Sequence, residues 1–85
     1  MIKNSKVAII IVNWKQYELT KSCLFSLKKI NCDDHQIILI DNESNQKELK
    51  SIKNQFENIV IFSNERNLGF TGANNIGIKY AIKNE

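Results

Sequence analysis

Three short apolar runs, separated by stretches with a different period, restrict this 85-residue chain to few folds. Lys6-Val-Ala-Ile-Ile-Ile-Val-Asn13 is rich in β-branched residues and has no polar alternation. That is the pattern of a strand buried on both faces, as in a parallel sheet. Gln36-Ile-Ile-Leu-Ile-Asp41 repeats the pattern, and Asn58-Ile-Val-Ile-Phe-Ser63 is a third such strand. Between the runs the period becomes helical. From Tyr17 to Ile30, Leu19, Cys23, Leu27 and Ile30 fall on one stripe with Leu24 at its margin, which predicts an amphipathic helix. Asn45 followed three residues later by Glu48 predicts a capping box, opening a second helix whose stripe is Leu49, Ile52 and Phe56. Thr71 is the expected cap of a third helix running to about Ile82. The order βαβαβα predicts a three-layer α/β fold in which right-handed crossovers build one open parallel sheet, with residues 1–85 forming a single domain. In such sheets ligands bind beyond the carboxyl ends of the strands.

Composition removes several classes of function. With 42% hydrophobic and 25% charged residues the chain is globular rather than disordered. The longest apolar run, Val7 to Val12, is too short to span a bilayer, and no signal-peptide pattern precedes it. A cytoplasmic location is expected, with peripheral attachment to the inner face of the cell membrane left open. Eleven of the twelve basic residues are Lys, spread over every segment. They form no basic patch of the kind nucleic-acid readers use. Two cysteines make no disulfide framework, and Cys32 with His35 lacks the second ligand pair that a structural zinc needs.

The expected strand ends are where polar residues collect. In the first loop the indole of Trp14 could stack on a nucleobase while backbone groups at Val12 and Asn13 read its edge. Equally, Trp14 could cap the core. In the second loop, Asp41 could accept a hydrogen bond from a base imide or a ribose hydroxyl, or serve only as a turn residue. The third segment, Asn67-Leu-Gly-Phe-Thr-Gly-Ala-Asn-Asn-Ile-Gly77, is more informative. Gly69 and Gly72 permit tight geometry before a helix whose free N–H groups could face an anion. Gly72, Gly77 and Lys79 do not make a P-loop, because Ile78 intervenes and no Ser or Thr follows. A dinucleotide fingerprint is excluded as well, since no glycine follows the first strand. Asn13 stands where a receiver domain would want an acidic residue.

With Val7-Ala-Ile-Ile-Ile-Val-Asn-Trp14 and Ile38-Leu-Ile-Asp-Asn-Glu-Ser44, this segment completes a set of three motifs in order. In that order and spacing the chain resembles the amino-terminal part of family 2 glycosyltransferases of the GT-A fold, over roughly Lys6 to Lys83. It looks most like rhamnosyltransferase-type members that build bacterial surface polysaccharides. The resemblance implies a nucleotide-sugar donor, of uridine or thymidine type, and inverting transfer assisted by magnesium or manganese. It puts Val12, Asn13 and Trp14 against the base, with Asp41 on the imide or ribose. Asn67 and Gly69 would shape the neighbouring loop, and Asn74 would face the same pocket. In the family a later strand brings an Asp-x-Asp motif for metal and diphosphate, and the catalytic base follows. This sequence contains no Asp-x-Asp, and Asp33-Asp34 precedes the second strand. The chain is therefore expected to bind donor without turnover, as a truncated domain with no cofactor of its own. A stand-alone nucleotide- or protein-binding module and a plain interaction domain are the competing readings. The expected strand order leaves the first strand as an unprotected edge, so self-association is expected unless Met1 to Ser5 fold over it.

Overall fold

The structure, a computed structural model, describes residues 7–29 and 35–83. Expectations resting on Ile30, Cys32, Asp33, Asp34 and the first five residues lie outside that range. Six elements follow one another: β1 (Val7–Trp14), α1 (Tyr17–Lys28), β2 (His35–Asn42), α2 (Gln46–Gln55), β3 (Ile59–Ser63) and α3 (Gly69–Lys83). The strands pair in parallel in the order β1-β2-β3. This is the open α/β sheet expected from the sequence. No described helix is long and apolar enough to cross a membrane.

The central strand explains why the apolar runs lack alternation. Ile37 and Leu39 of β2 pack with Leu24 of α1 and with Leu49, Ile52 and Phe56 near α2, while Ile38 and Ile40 pack with Ala73 of α3 on the opposite face. Both faces of β2 are thus covered, and alternate side chains enter two separate cores. β1 has β2 on one side and no described strand on the other.

Three details differ from the expected helices. In α1 the buried line is Thr20 and Leu24, with Tyr17 and Leu27 packed beside it, whereas Leu19 is 66% exposed and Cys23 is exposed. The polar Thr20 hid this stripe, because a buried threonine does not register as apolar in a pattern. In α2 the Asn45 side chain accepts the Lys47 and Glu48 amides, as a cap should. The reciprocal half of the capping box is replaced, since the Asn45 amide donates to the Tyr17 hydroxyl at 2.9 Å. In α3 the helix begins at Gly69 rather than after Thr71, and the Asn67 side chain accepts the Gly69 amide at 2.8 Å. Gly69 takes φ +78°, a left-handed conformation that glycine adopts without penalty.

Gly77 brings α3 close to the sheet. A Cβ at this buried position would lie 2.8 Å from one carbon of Ile10 and 3.1 Å from two more. The helix turns Ile76 and Tyr80 toward the core and leaves Ile78 and Ile82 exposed.

Candidate functional site

Strand register and pleat divide the carboxyl end of the sheet into two regions. Asn13, Asp41 and Ser63 lie side by side in one row. They belong to the alternate positions that face α1 and α2. Trp14 and Asn42 are paired one residue further on and belong to the positions facing α3.

The first region is a buried polar network. Asp41 is 0% exposed and Asn13 only 2%. Asn13 Nδ2 donates to Asp41 Oδ1 at 2.8 Å, and the Tyr17 hydroxyl donates to Asp41 Oδ2 at 2.8 Å. The Thr20 hydroxyl donates to Asn13 Oδ1, so α1 supplies both ends of the network. The Asp41 carbonyl accepts the Asn64 amide at 2.9 Å and the Ser44 hydroxyl at 2.8 Å. Among the described residues no buried side-chain polar atom lacks a partner. A buried carboxylate held only by neutral donors is tolerable when each donor is fixed in place. Here Tyr17 is fixed by its second bond, from the Asn45 amide. Burial chiefly pushes the Tyr17 hydroxyl above its ordinary 10.0; the Asn45 amide pulls it down, while Asp41 and Glu48 add to the rise.

The second region is open. Trp14 is 48% exposed, and its indole Nε1 donates to Glu43 Oε1 at 2.8 Å. Lys15 places its ammonium 3.6 Å from Glu43 Oε2 and 5.5 Å from the centre of the Trp14 ring. The indole N–H first, and Lys15 second, hold the Glu43 carboxyl below its ordinary 4.5. Lys15 and Glu43 follow consecutive parallel strands and adopt φ of 57° and 55°, the left-handed region. That conformation costs an ordinary residue about 1–2 kcal/mol.

Beside Trp14 lies a cleft of about 500 Å³. It wraps the carboxyl end and outer edge of β1, between Leu19 and Cys23 of α1 and Phe70 of α3. Of the residues expected at a nucleotide site, Val12, Asn13, Trp14, Asn67 and Gly69 line it. Asp41 and Asn74 do not. Asp41 lies beneath the Asn13 and Tyr17 side chains, and Asn74 lies one turn into α3, partly buried. A further cleft of about 540 Å³ borders His35 and Ile59 at the amino ends of β2 and β3. Open parallel sheets bind ligands at the other end, so the cleft at β1 is the candidate site.

Tyr17, Thr20, Asn42 and Glu43 were not among the expected site residues. Asn42 is buried, donates to the Gly69 carbonyl at 3.3 Å and accepts from Asn64 at 2.8 Å, tying β2 to the loop before α3. A polar residue at the end of an apolar strand was the available signal for Asn42. Nothing local marked Tyr17, whose partners are 24 and 28 residues away.

Among the described residues no three His, Cys, Asp or Glu side chains form a group that could hold an ion. The acidic groups nearest the cleft, Asp41 and Glu43, are already engaged by Asn13 and Tyr17 and by Trp14 and Lys15.

Fold and strand-end cleft together define an α/β protein of the open parallel-sheet type, with polar residues gathered at the carboxyl ends of its strands. The chain belongs to glycosyl transferase family 2, whose sequence profile matches residues 8–83. It therefore carries a glycosyltransferase domain, and the sheet is that of the amino-terminal part of a GT-A fold. No individual curated protein matches it.

Proposed function

We propose that the chain binds the nucleotide of a uridine- or thymidine-diphosphate sugar in the cleft at the end of β1. The observation that carries this is the convergence of Val12, Asn13, Trp14, Asn67 and Gly69 on one 500 Å³ space in a family 2 domain. Trp14 supplies a flat apolar surface for the base, and backbone groups of Val12 and Asn13 read its edge. Asp41 accepts the imide or a ribose hydroxyl only when Tyr17 swings away from it, because Asp41 is fully buried in the closed arrangement, with Asn13 and Tyr17 bonded to its two oxygens. Asn74 acts from the first turns of α3, on the sugar or diphosphate side.

The reaction served is inverting transfer, of the rhamnosyltransferase kind, in bacterial surface polysaccharide synthesis on the cytoplasmic side of the membrane. Magnesium or manganese would be held by residues other than the described acidic groups, which form no cluster that could hold an ion. The chain alone then binds donor without transferring its sugar. The test is calorimetric titration with uridine diphosphate, thymidine diphosphate and guanosine diphosphate, paired with donor hydrolysis assays in manganese. Saturable binding of a pyrimidine diphosphate, weakened at least about tenfold by Trp14→Ala, is expected. Equal binding of all three, unaffected by Trp14→Ala, would refute the site.

The open edge of β1 supports a second element of the proposal, self-association by pairing of first strands about a two-fold axis. Val7 to Val12 carries no charge, proline or glycine to blunt such pairing. Light scattering at micromolar concentration should give twice the monomer mass. A monomer with fast amide exchange along β1 would exclude it.

A further inference from the structure

Trp14 is half-exposed, yet its polar edge is tied to a residue that the donor-binding reading gives no role. Glu43 Oε1 accepts the indole N–H at 2.8 Å, and Glu43 Oε2 holds the Lys15 ammonium at 3.6 Å, close enough to the indole centre to occupy one face of the ring. Three neighbouring side chains thus form a closed set, in which Glu43 engages Trp14 by a hydrogen bond and Lys15 by charge.

The backbone is bent to make this set. Lys15 and Glu43 both stand at positive φ immediately after the paired residues Trp14 and Asn42. Neither is Gly, Asn or Asp, the residues that take this conformation at little cost. Two such positions side by side mark a strained strand end, and strain of this sort gathers at ligand sites where it fixes geometry in advance. The exposed carboxylate also contributes nothing to the core, since Asn13, Asp41 and Thr20 satisfy one another without it.

We infer that Glu43 is a positioning residue that latches Trp14 before a nucleotide arrives, leaving the indole a single face for the base. The inference rests on the donor-binding reading of the β1 cleft and deepens it. An unlatched exposed indole would have to give up rotamer freedom on binding, and fixing it beforehand removes that loss. With Lys15 on one face, the ring cannot be sandwiched between two bases, so the site takes one stacked base per chain.

Trp14 is the only tryptophan in the sequence, so its indole N–H gives one nuclear magnetic resonance signal that reports the latch without any ligand. Glu43→Ala should move that signal upfield and speed its exchange with water, while Glu43→Gln, which keeps a side-chain oxygen acceptor, should restore most of both. Titration with uridine diphosphate should show affinity reduced roughly fivefold in Glu43→Ala and largely recovered in Glu43→Gln. An indole signal that Glu43→Ala leaves unmoved would overturn the latch. So would uridine diphosphate binding by the unaltered chain that Glu43→Ala leaves equally tight. If the unaltered chain binds no nucleotide while its indole signal responds to Glu43→Ala, the donor-binding reading fails, and the effect on affinity with it.

Discussion

Two groups of polar residues stand within two residues of each other along the chain and obey opposite rules. Asn13 and Asp41 are sealed in a network that involves β1, β2, α1 and the cap of α2. Trp14, next in sequence to Asn13, and Glu43, two residues past Asp41, lie open beside the cleft. Pleat alternation separates Trp14 from Asn13, because neighbouring residues on a strand point to opposite faces, whereas Glu43 stands past the end of β2 at a left-handed φ of 55°. The lesson is that a motif read as one site can contain a structural half and a ligand-facing half. Variants should separate the two, the first lowering stability and the second lowering binding at unchanged stability.

The largest effect is expected at Asp41. Replacing it with Ala strands the Asn13 amide and the Tyr17 hydroxyl, and about 3 kcal/mol of stability should be lost. Asp41→Asn, which retains an acceptor for Asn13, should lose about a third as much. Urea unfolding measures both. A loss of nucleotide affinity in Asp41→Ala with unchanged unfolding would move Asp41 from the structural half to the ligand-facing half.

Tyr17 comes next. Tyr17→Phe removes one donor to Asp41 and the acceptor for Asn45, and should lower stability by about 1.5 kcal/mol. The hydroxyl also sets a pH dependence. Its folded pKa is raised above 10.0, so its contribution is fully present below pH 10.0 and is lost as pH rises through the folded value. Unfolding midpoints of the unaltered chain and Tyr17→Phe should therefore converge above pH 10.0. Parallel curves would show that the hydroxyl does not hold the network.

A smaller effect is expected on the α3 side. Gly77→Ala gains helix propensity but presses a methyl group against Ile10, with a net loss of about 1 kcal/mol. In an Ile10→Ala background the same change should stabilise, because the space is then open. A stabilising Gly77→Ala in the unaltered chain would show that α3 can lift away from β1.

The sequence carried the architecture well because β-branched runs and helical stripes are local signals. β2 lacks alternation because both of its faces are covered, and Asn45 caps α2 where it was expected. The α1 stripe was misplaced because the buried face runs through Thr20, a polar residue whose burial depends on Asn13 across the loop. The start of α3 was misplaced because the Asn67 side chain takes up the Gly69 amide and opens the helix before Thr71. At the site, five of seven expected residues meet at one cleft because they sit at strand or loop ends that topology brings together. The engagement of Asp41 by Tyr17 and of Trp14 by Glu43 was not legible, since these pairs are 24 and 29 residues apart. Long-range pairs of this kind follow from the register of β1 against β2, which local pattern does not specify.

The smallest effect belongs to the open half and gives the sharpest contrast with Tyr17. Glu43 has its folded pKa lowered below 4.5, first by the Trp14 indole and then by Lys15. Its contribution is therefore fully present above pH 4.5 and is lost as pH falls through the lower folded value. Because the carboxylate is exposed, salt and water screen its charge, so the unfolding midpoint should barely respond. The emission of Trp14 should respond instead, since protonating Glu43 weakens the indole bond and loosens Lys15 from the ring. Emission should hold steady from neutrality down to pH 4.5 and shift only below it. Glu43→Gln should remain flat throughout, and circular dichroism recorded on the same samples would separate local release from unfolding. An emission shift that tracks the loss of helix signal would mean that Trp14 reports the buried network rather than the latch, and the two regions would then be one.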